Sequence, residues 1–148
     1  MGIKMITPMS TILGTLKEGK KSVKDEVVKV FTRAGEEAVR GARAPRGKQY
    51  TDRTSNLRSS TGYVLTVDGK PVIGGGYTPV KETGKPGAKA GKEHGNDLAK
   101  GADANSVSLF VTTGMSYAQY LDARAYDILD TAEADATAVL EEKLKRKK

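Results

Sequence analysis

Gly14-Thr15-Leu16-Lys17-Glu18-Gly19-Lys20-Lys21 is one residue short of a phosphate-binding loop. That loop needs a Ser or Thr hydroxyl for magnesium where Lys21 stands, and a strand leading into it. Residues 1–9, broken by Pro8, read as an irregular arm, so a Lys-rich helix replaces the nucleotide reading. Asp122, Asp127, Asp130, Glu133 and Asp135 form a dense carboxylate set of the kind that performs glycoside hydrolysis or binds cations. Helix capping already accounts for Asp130 and Glu133. His94 is the sole histidine and reads as a solvated loop residue. Lys81, Lys85, Lys89 and Lys92 recur every three or four residues, with Gly84, Gly87 and Gly91 between them. Glycine at such density opposes a helix. The expectation is therefore a flexible basic loop that meets DNA phosphates or acidic protein side chains. No aromatic residue follows Tyr77 in this stretch, so stacking on bases has no support.

Composition narrows the classes further. The chain has 148 residues, no Cys, no Trp and one His. That removes a disulfide framework, a thiolate nucleophile and a thiolate zinc site, and leaves little for a His-centred triad. No cofactor or catalytic residue is expected, and the chain is read as not an enzyme. Its length suits one domain, 1–148. The net charge is +7, with 11 basic against 5 acidic side chains in residues 1–50. A basic balance suits nucleic acid, an anionic membrane or an acidic partner. No stretch approaches the ~20 apolar residues needed to cross a bilayer, so no membrane association is expected.

The elements that must position these residues follow from periodicity. Val23, Val27, Phe31, Ala34 and Ala38 fall on one helical face within a pattern running from about Ser10 to Arg43. A break is expected near Gly19 to Ser22, and Gly41 and Pro45 end the run. Thr54 to Ser60 reads as a short helical turn. Asp68-Gly69 joins two strand-forming runs within 62–73, which predicts a type I′ hairpin with Pro71 at an edge. Gly74-Gly75-Gly76 is expected to loosen the chain, and residues 78–103 to form a long flexible Gly/Lys-rich loop. A third strand is predicted at about 106–113. A final helix starts at Asp130, with Ala132, Ala136, Val139, Leu140 and Leu144 on one face.

Two segments carry a family resemblance. Tyr50 to Ser60 precedes the hairpin, and Val111 to Leu121 follows the third strand. Together they resemble the tail-component family of long-tailed bacteriophages. Asn56, Leu57, Arg58 and Ser60 match its first motif, and Gly114, Tyr117, Ala118 and Tyr120 its second. Ser55 stands where the family usually has Gly. The resemblance implies an α+β fold: a small antiparallel sheet with a β-hairpin, packed against a long N-terminal helix and a C-terminal helix. It also implies a non-enzymatic virion subunit made in the host cytoplasm, at the tail or neck, in a tail-completion or head–tail connector ring. Its partners would be copies of itself, a hexamer among the options, and neighbouring connector and tail tube proteins. Lys81, Lys85, Lys89 and Lys92 would supply subunit contacts or non-specific contact with genome DNA. The alternative class is a small basic nucleic-acid-binding protein using Lys17, Lys20, Lys21 and Lys24 with the same loop lysines.

Overall fold

The computed structural model describes residues 1–8 and 20–145, and its architecture is α+β. Four antiparallel strands, β1 (Gly2–Pro8), β2 (Thr61–Val67), β3 (Lys70–Gly76) and β4 (Ser106–Thr113), form one sheet in the order β1-β4-β2-β3. The helices are α1 (Lys20–Arg43), α2 (Asn56–Ser59), α3 (Lys85–Ala99), α4 (Ala118–Ala123) and α5 (Asp130–Lys145). α1 covers one face of the sheet, with α5 packed along it, and α3 covers the other. The phosphate-loop-like segment lies largely outside the described residues. Of the break expected near Gly19 to Ser22, the described part, Lys20 to Ser22, is already helical within α1, so Ser22 does not start a second helix.

The hairpin forms as its residues dictate. Asp68 has φ 54° and Gly69 φ 82°, both in the left-handed region that a type I′ turn needs. Pro71 lies in the edge strand, where its missing N–H removes no ladder bond. Strand alternation then divides the side chains. Tyr63, Leu65, Val107, Leu109 and Val111 enter the core built with Phe31, Ala34 and Ala38 of α1 and Ala132 and Ala136 of α5. Val64 and Phe110 join Ala99 on the α3 side.

Several expectations are corrected. Residues 2–8 are not an arm: they pair with β4 along its length, from Gly2 opposite Thr112 to Pro8 opposite Ser106. Gly74, Gly75 and Gly76 remain in β3 rather than ending it. The 78–103 stretch is not a flexible loop, because it holds a 3-10 turn at Glu82–Gly84 and the 15-residue helix α3. The reason lies in what its glycines touch. A Cβ on Gly87 would come within 2.2 Å of Asn56 O, one on Gly91 within 2.1 Å of Ser60 O, and one on Gly95 within 2.1 Å of Tyr77 Oη. Glycine's cost of ~1 kcal/mol per helical position is the condition for laying a helix directly on backbone. His94 is half-buried on this helix rather than solvated in a loop, with Nε2 3.2 Å from the Met1 amino nitrogen.

The helix ends also differ in detail. α5 begins at Asp130, but the carboxylate that caps it belongs to Asp127, which accepts the Thr131 N–H at 3.1 Å and the Gly47 N–H at 2.8 Å. Burial opposes the Asp127 charge, yet these bonds, the Thr131 hydroxyl and nearby Arg46 outweigh it and hold the carboxyl below its usual value. The carboxylate set is thus partly a structural clasp. Arg46 adds a two-pronged contact to Asp135, at 2.7 and 3.2 Å.

Candidate interaction surface

α3 positions the predicted lysines. Its glycines at 87, 91 and 95 face the protein, so Lys85, Lys89 and Lys92 are turned outward and share one exposed face, with Lys81 exposed just ahead of the helix. The structure therefore brings Lys85, Lys89 and Lys92 together on a helix rather than a loop, with Lys81 ahead of it in the chain. Lys85 pairs with Glu82, and Lys100 with Asp97 at 2.8 Å. Exposed pairs of this kind contribute little, because solvent screens them. Among the described residues Lys81, Lys89 and Lys92 have no carboxylate partner. Glu93 is exposed on the same helix and dilutes its positive charge.

Lys92 and Asn96, one turn apart, form a wall of an open groove of about 530 Å³. The opposite wall is β3, from Pro71 to Gly76, and Val64 and Tyr77 also line it. Tyr77 closes one end in a left-handed conformation, φ 48°. Its hydroxyl shares a 2.6 Å hydrogen bond with Thr112 Oγ1, and burial raises its pKa. Sequence reasoning missed Gly74, Gly76, Tyr77 and Asn96 as parts of this site. The available signal was a glycine run in an edge strand, next to a periodic lysine pattern.

The two resembling segments meet at a different place. Leu57 is buried, and its carbonyl accepts from the hydroxyls of Ser60 and Thr61 at 2.7 and 3.2 Å. The Ser60 and Thr113 hydroxyls share a hydrogen bond of 2.7 Å. Asn56 Oδ1 accepts the Gly87 N–H at 3.1 Å, which pins the start of α3. A Cβ on Gly114 would come within 2.5 Å of Gly91 Cα, and Ala118 is fully buried. Asn56, Leu57, Ser60 and Gly114 thus build a knot joining α2, α3 and the end of β4.

Arg58, Tyr117 and Tyr120 lie at its margin. The Arg58 guanidinium stands 5.8 Å from the Tyr50 ring, and burial raises the Tyr50 pKa against that nearby charge. Arg58 Nε is buried with no hydrogen-bond partner among the described residues. Arg43 reaches the same area, donating to Arg58 O at 3.3 Å and to Thr78 O at 3.2 Å. Desolvation lowers its pKa, partly offset by Glu36. Tyr117 and Tyr120 are largely exposed, and Arg124 stacks over Tyr120 at 4.4 Å.

The arrangement supplies cations, exposed backbone and aromatic surface. Among the described residues no group of three or more His, Asp or Glu side chains converges on a point where a metal could sit. No helix of the described residues is long and apolar enough to cross a membrane. Comparison with known proteins finds no matching family model, curated sequence or solved structure.

Proposed function

We propose that the chain is a non-enzymatic structural subunit of a phage virion, acting in a tail-completion or head–tail connector ring at the upper end of the tail. The observation that carries this reading is the knot. Two segments that resemble the tail-component family, more than fifty residues apart, interlock through the Ser60–Thr113 hydroxyl pair at 2.7 Å. A motif spread over distant segments has a physical reason to persist when those segments build one joint. Ser55 adds to this. It occupies the position the family fills with Gly, and its φ is 58°, in the left-handed region that glycine enters at no steric cost. The free edge of β3 and the exposed α3 lysines give such a subunit surfaces for neighbours and for passing DNA.

Localising the protein in assembled particles tests the proposal. An antibody label or assigned density at the neck or upper tail is the expected result, together with ring-sized particles of the purified chain. Absence from purified virions overturns it. The second reading, a small nucleic-acid-binding protein, draws on the shared exposed face of Lys85, Lys89 and Lys92. It predicts duplex DNA binding whose salt slope falls by about 0.9 for each phosphate-contacting lysine replaced by Ala.

A further inference from the structure

β3 has β2 on one side and no strand on the other among the described residues. Which of its backbone groups face outward follows from the ladder. The Tyr77 N–H donates to Thr61 O at 2.9 Å, so these two residues oppose each other as a bonded pair. In an antiparallel ladder bonded and non-bonded pairs alternate. Tyr63 with Gly75 and Leu65 with Ile73 are then the next bonded pairs, and the N–H and C=O of Gly74 and Gly76 point away from β2. The first half of the edge carries devices that block strand addition: Lys70, Pro71 and a register shift opposite Leu65 and Thr66. Between Ile73 and Gly76 there is neither proline nor charge, and Gly74 is exposed.

The groove runs beside this unblocked half. Its lining combines the apolar Val64 and Val72, the latter 52% exposed, with Tyr77, Asn96 and a single charged group, Lys92. Glu93 and Asp97 are on the same helix but do not line it. We infer that this edge and groove take an extended, acidic peptide segment of a partner protein as a fifth strand. The outward N–H and C=O of Gly74 and Gly76 supply main-chain hydrogen bonds. Alternate side chains of the segment enter the groove, apolar ones against Val64 and Val72 and a carboxylate against Lys92. A basic segment would leave Lys92 facing a like charge. The inference stands on the edge and groove alone and does not depend on the virion assignment.

Fluorescence anisotropy with a short labelled peptide alternating valine and glutamate tests it, beside a matched valine–lysine peptide. Gly74→Pro deletes an outward donor, as Pro71 already does in the same strand, and leaves the inward ladder intact. Gly74→Ala keeps the donor, and its Cβ meets only Tyr63 O, at 3.5 Å. The glutamate peptide should bind the wild type and Gly74→Ala more tightly than the lysine peptide does. It should slow amide exchange at Gly74 and Gly76. Gly74→Pro and Lys92→Glu should each weaken it at least tenfold. Failure of the wild type to bind, or equal affinity for both peptides, overturns the inference. So does undiminished binding by a folded Gly74→Pro. If Gly74→Pro does not fold, undiminished binding by Lys92→Glu or unchanged exchange at Gly74 and Gly76 overturns it instead. Self-association of the unliganded chain that Gly74→Pro abolishes would assign the edge to a second copy and overturn it too.

Discussion

Against one face of the sheet, Phe31 lies in a cluster with Leu65, Leu109 and Val111; against the other, Gly87, Gly91 and Gly95 rest on Asn56, Ser60 and Tyr77. The first face is closed by interdigitated side chains, whose stabilisation scales with the apolar area withdrawn from water. The second has a smaller apolar cluster, Val64, Phe110 and Ala99, and is otherwise closed by close backbone approach and short polar contacts such as Asn56 Oδ1 to the Gly87 N–H at 3.1 Å. A face built of side chains is weakened by removing atoms. A face built of glycines is weakened by adding them. α1 packs against both the sheet and α5, whereas α3, among the described residues, has no helix laid along its outer face, which carries Lys85, Lys89 and Lys92.

The largest expected effect lies on the side-chain face. Phe31 is fully buried, so Phe31→Ala should cost about 4 kcal/mol in chemical denaturation, from lost transfer energy and the cavity left behind. On the other face the sign of the atom change is reversed. Gly91→Val adds a side chain where even a Cβ would lie 2.1 Å from Ser60 O. It should cost about 3 kcal/mol through overpacking, although it raises apolar content. A stability gain for Gly91→Val would show that α3 can lift off the sheet at little cost, and the contrast between the faces would collapse.

These glycines also explain what the sequence did and did not disclose. The α1 face was legible because Val27, Phe31, Ala34 and Ala38 announce a buried helical stripe by their apolar chemistry. The hairpin was legible because Asp68-Gly69 supplies the turn chemistry within the chain itself. α3 was not, because its buried face carries Gly87, Gly91 and Gly95, with only Ala88 and Ala99 as apolar side chains. Local propensity treats glycine as a breaker, and the backbone that requires it belongs to Asn56 and Ser60, some thirty residues away. β1 was missed for a related reason: its pairing with β4 joins opposite parts of the chain. The lysines were found without their scaffold, and the groove was missed because glycine backbone and Asn96 carry no strong sequence signal.

A smaller effect is expected where α5 is held onto α1. The Asp127 carboxylate accepts the N–H groups of Gly47 and Thr131, and its folded pKa is depressed. Its contribution is fully present above the unfolded carboxyl value of about 3.9. It is lost as pH falls from there through the folded value. Asp127→Ala should cost about 2 kcal/mol at neutral pH and flatten the acid limb of the stability profile. A variant that kept the acid limb of the parent would remove Asp127 from the account of α5 docking.

The smallest effect concerns a place where the side-chain face also depends on glycine. The Tyr63 ring lies between Gly35 of α1 and Gly75 of β3, where a Cβ on either would come within 2.6 Å of it. Its hydroxyl donates to Glu36 Oε1 at 2.7 Å. Tyr63→Phe keeps the ring and its packing and removes only this bond, so the cost should be about 1 kcal/mol at neutral pH. The pH dependence separates the two contributions. Burial, and then the Glu36 carboxylate, raise the Tyr63 pKa above its ordinary value. The unfolded tyrosine ionises near 10, so above that pH the unfolded chain releases a proton that the folded chain retains, and stability falls. Tyr50, Tyr77 and Tyr117 are shifted in the same direction and add to that fall. Tyr63→Phe should therefore be slightly less stable than the parent at pH 7 yet lose stability less steeply above pH 10. Urea midpoints measured across that range check it. An unchanged alkaline slope would mean that neither burial nor the Glu36 contact holds the phenol neutral, leaving the two glycines as the whole explanation of how Tyr63 fits.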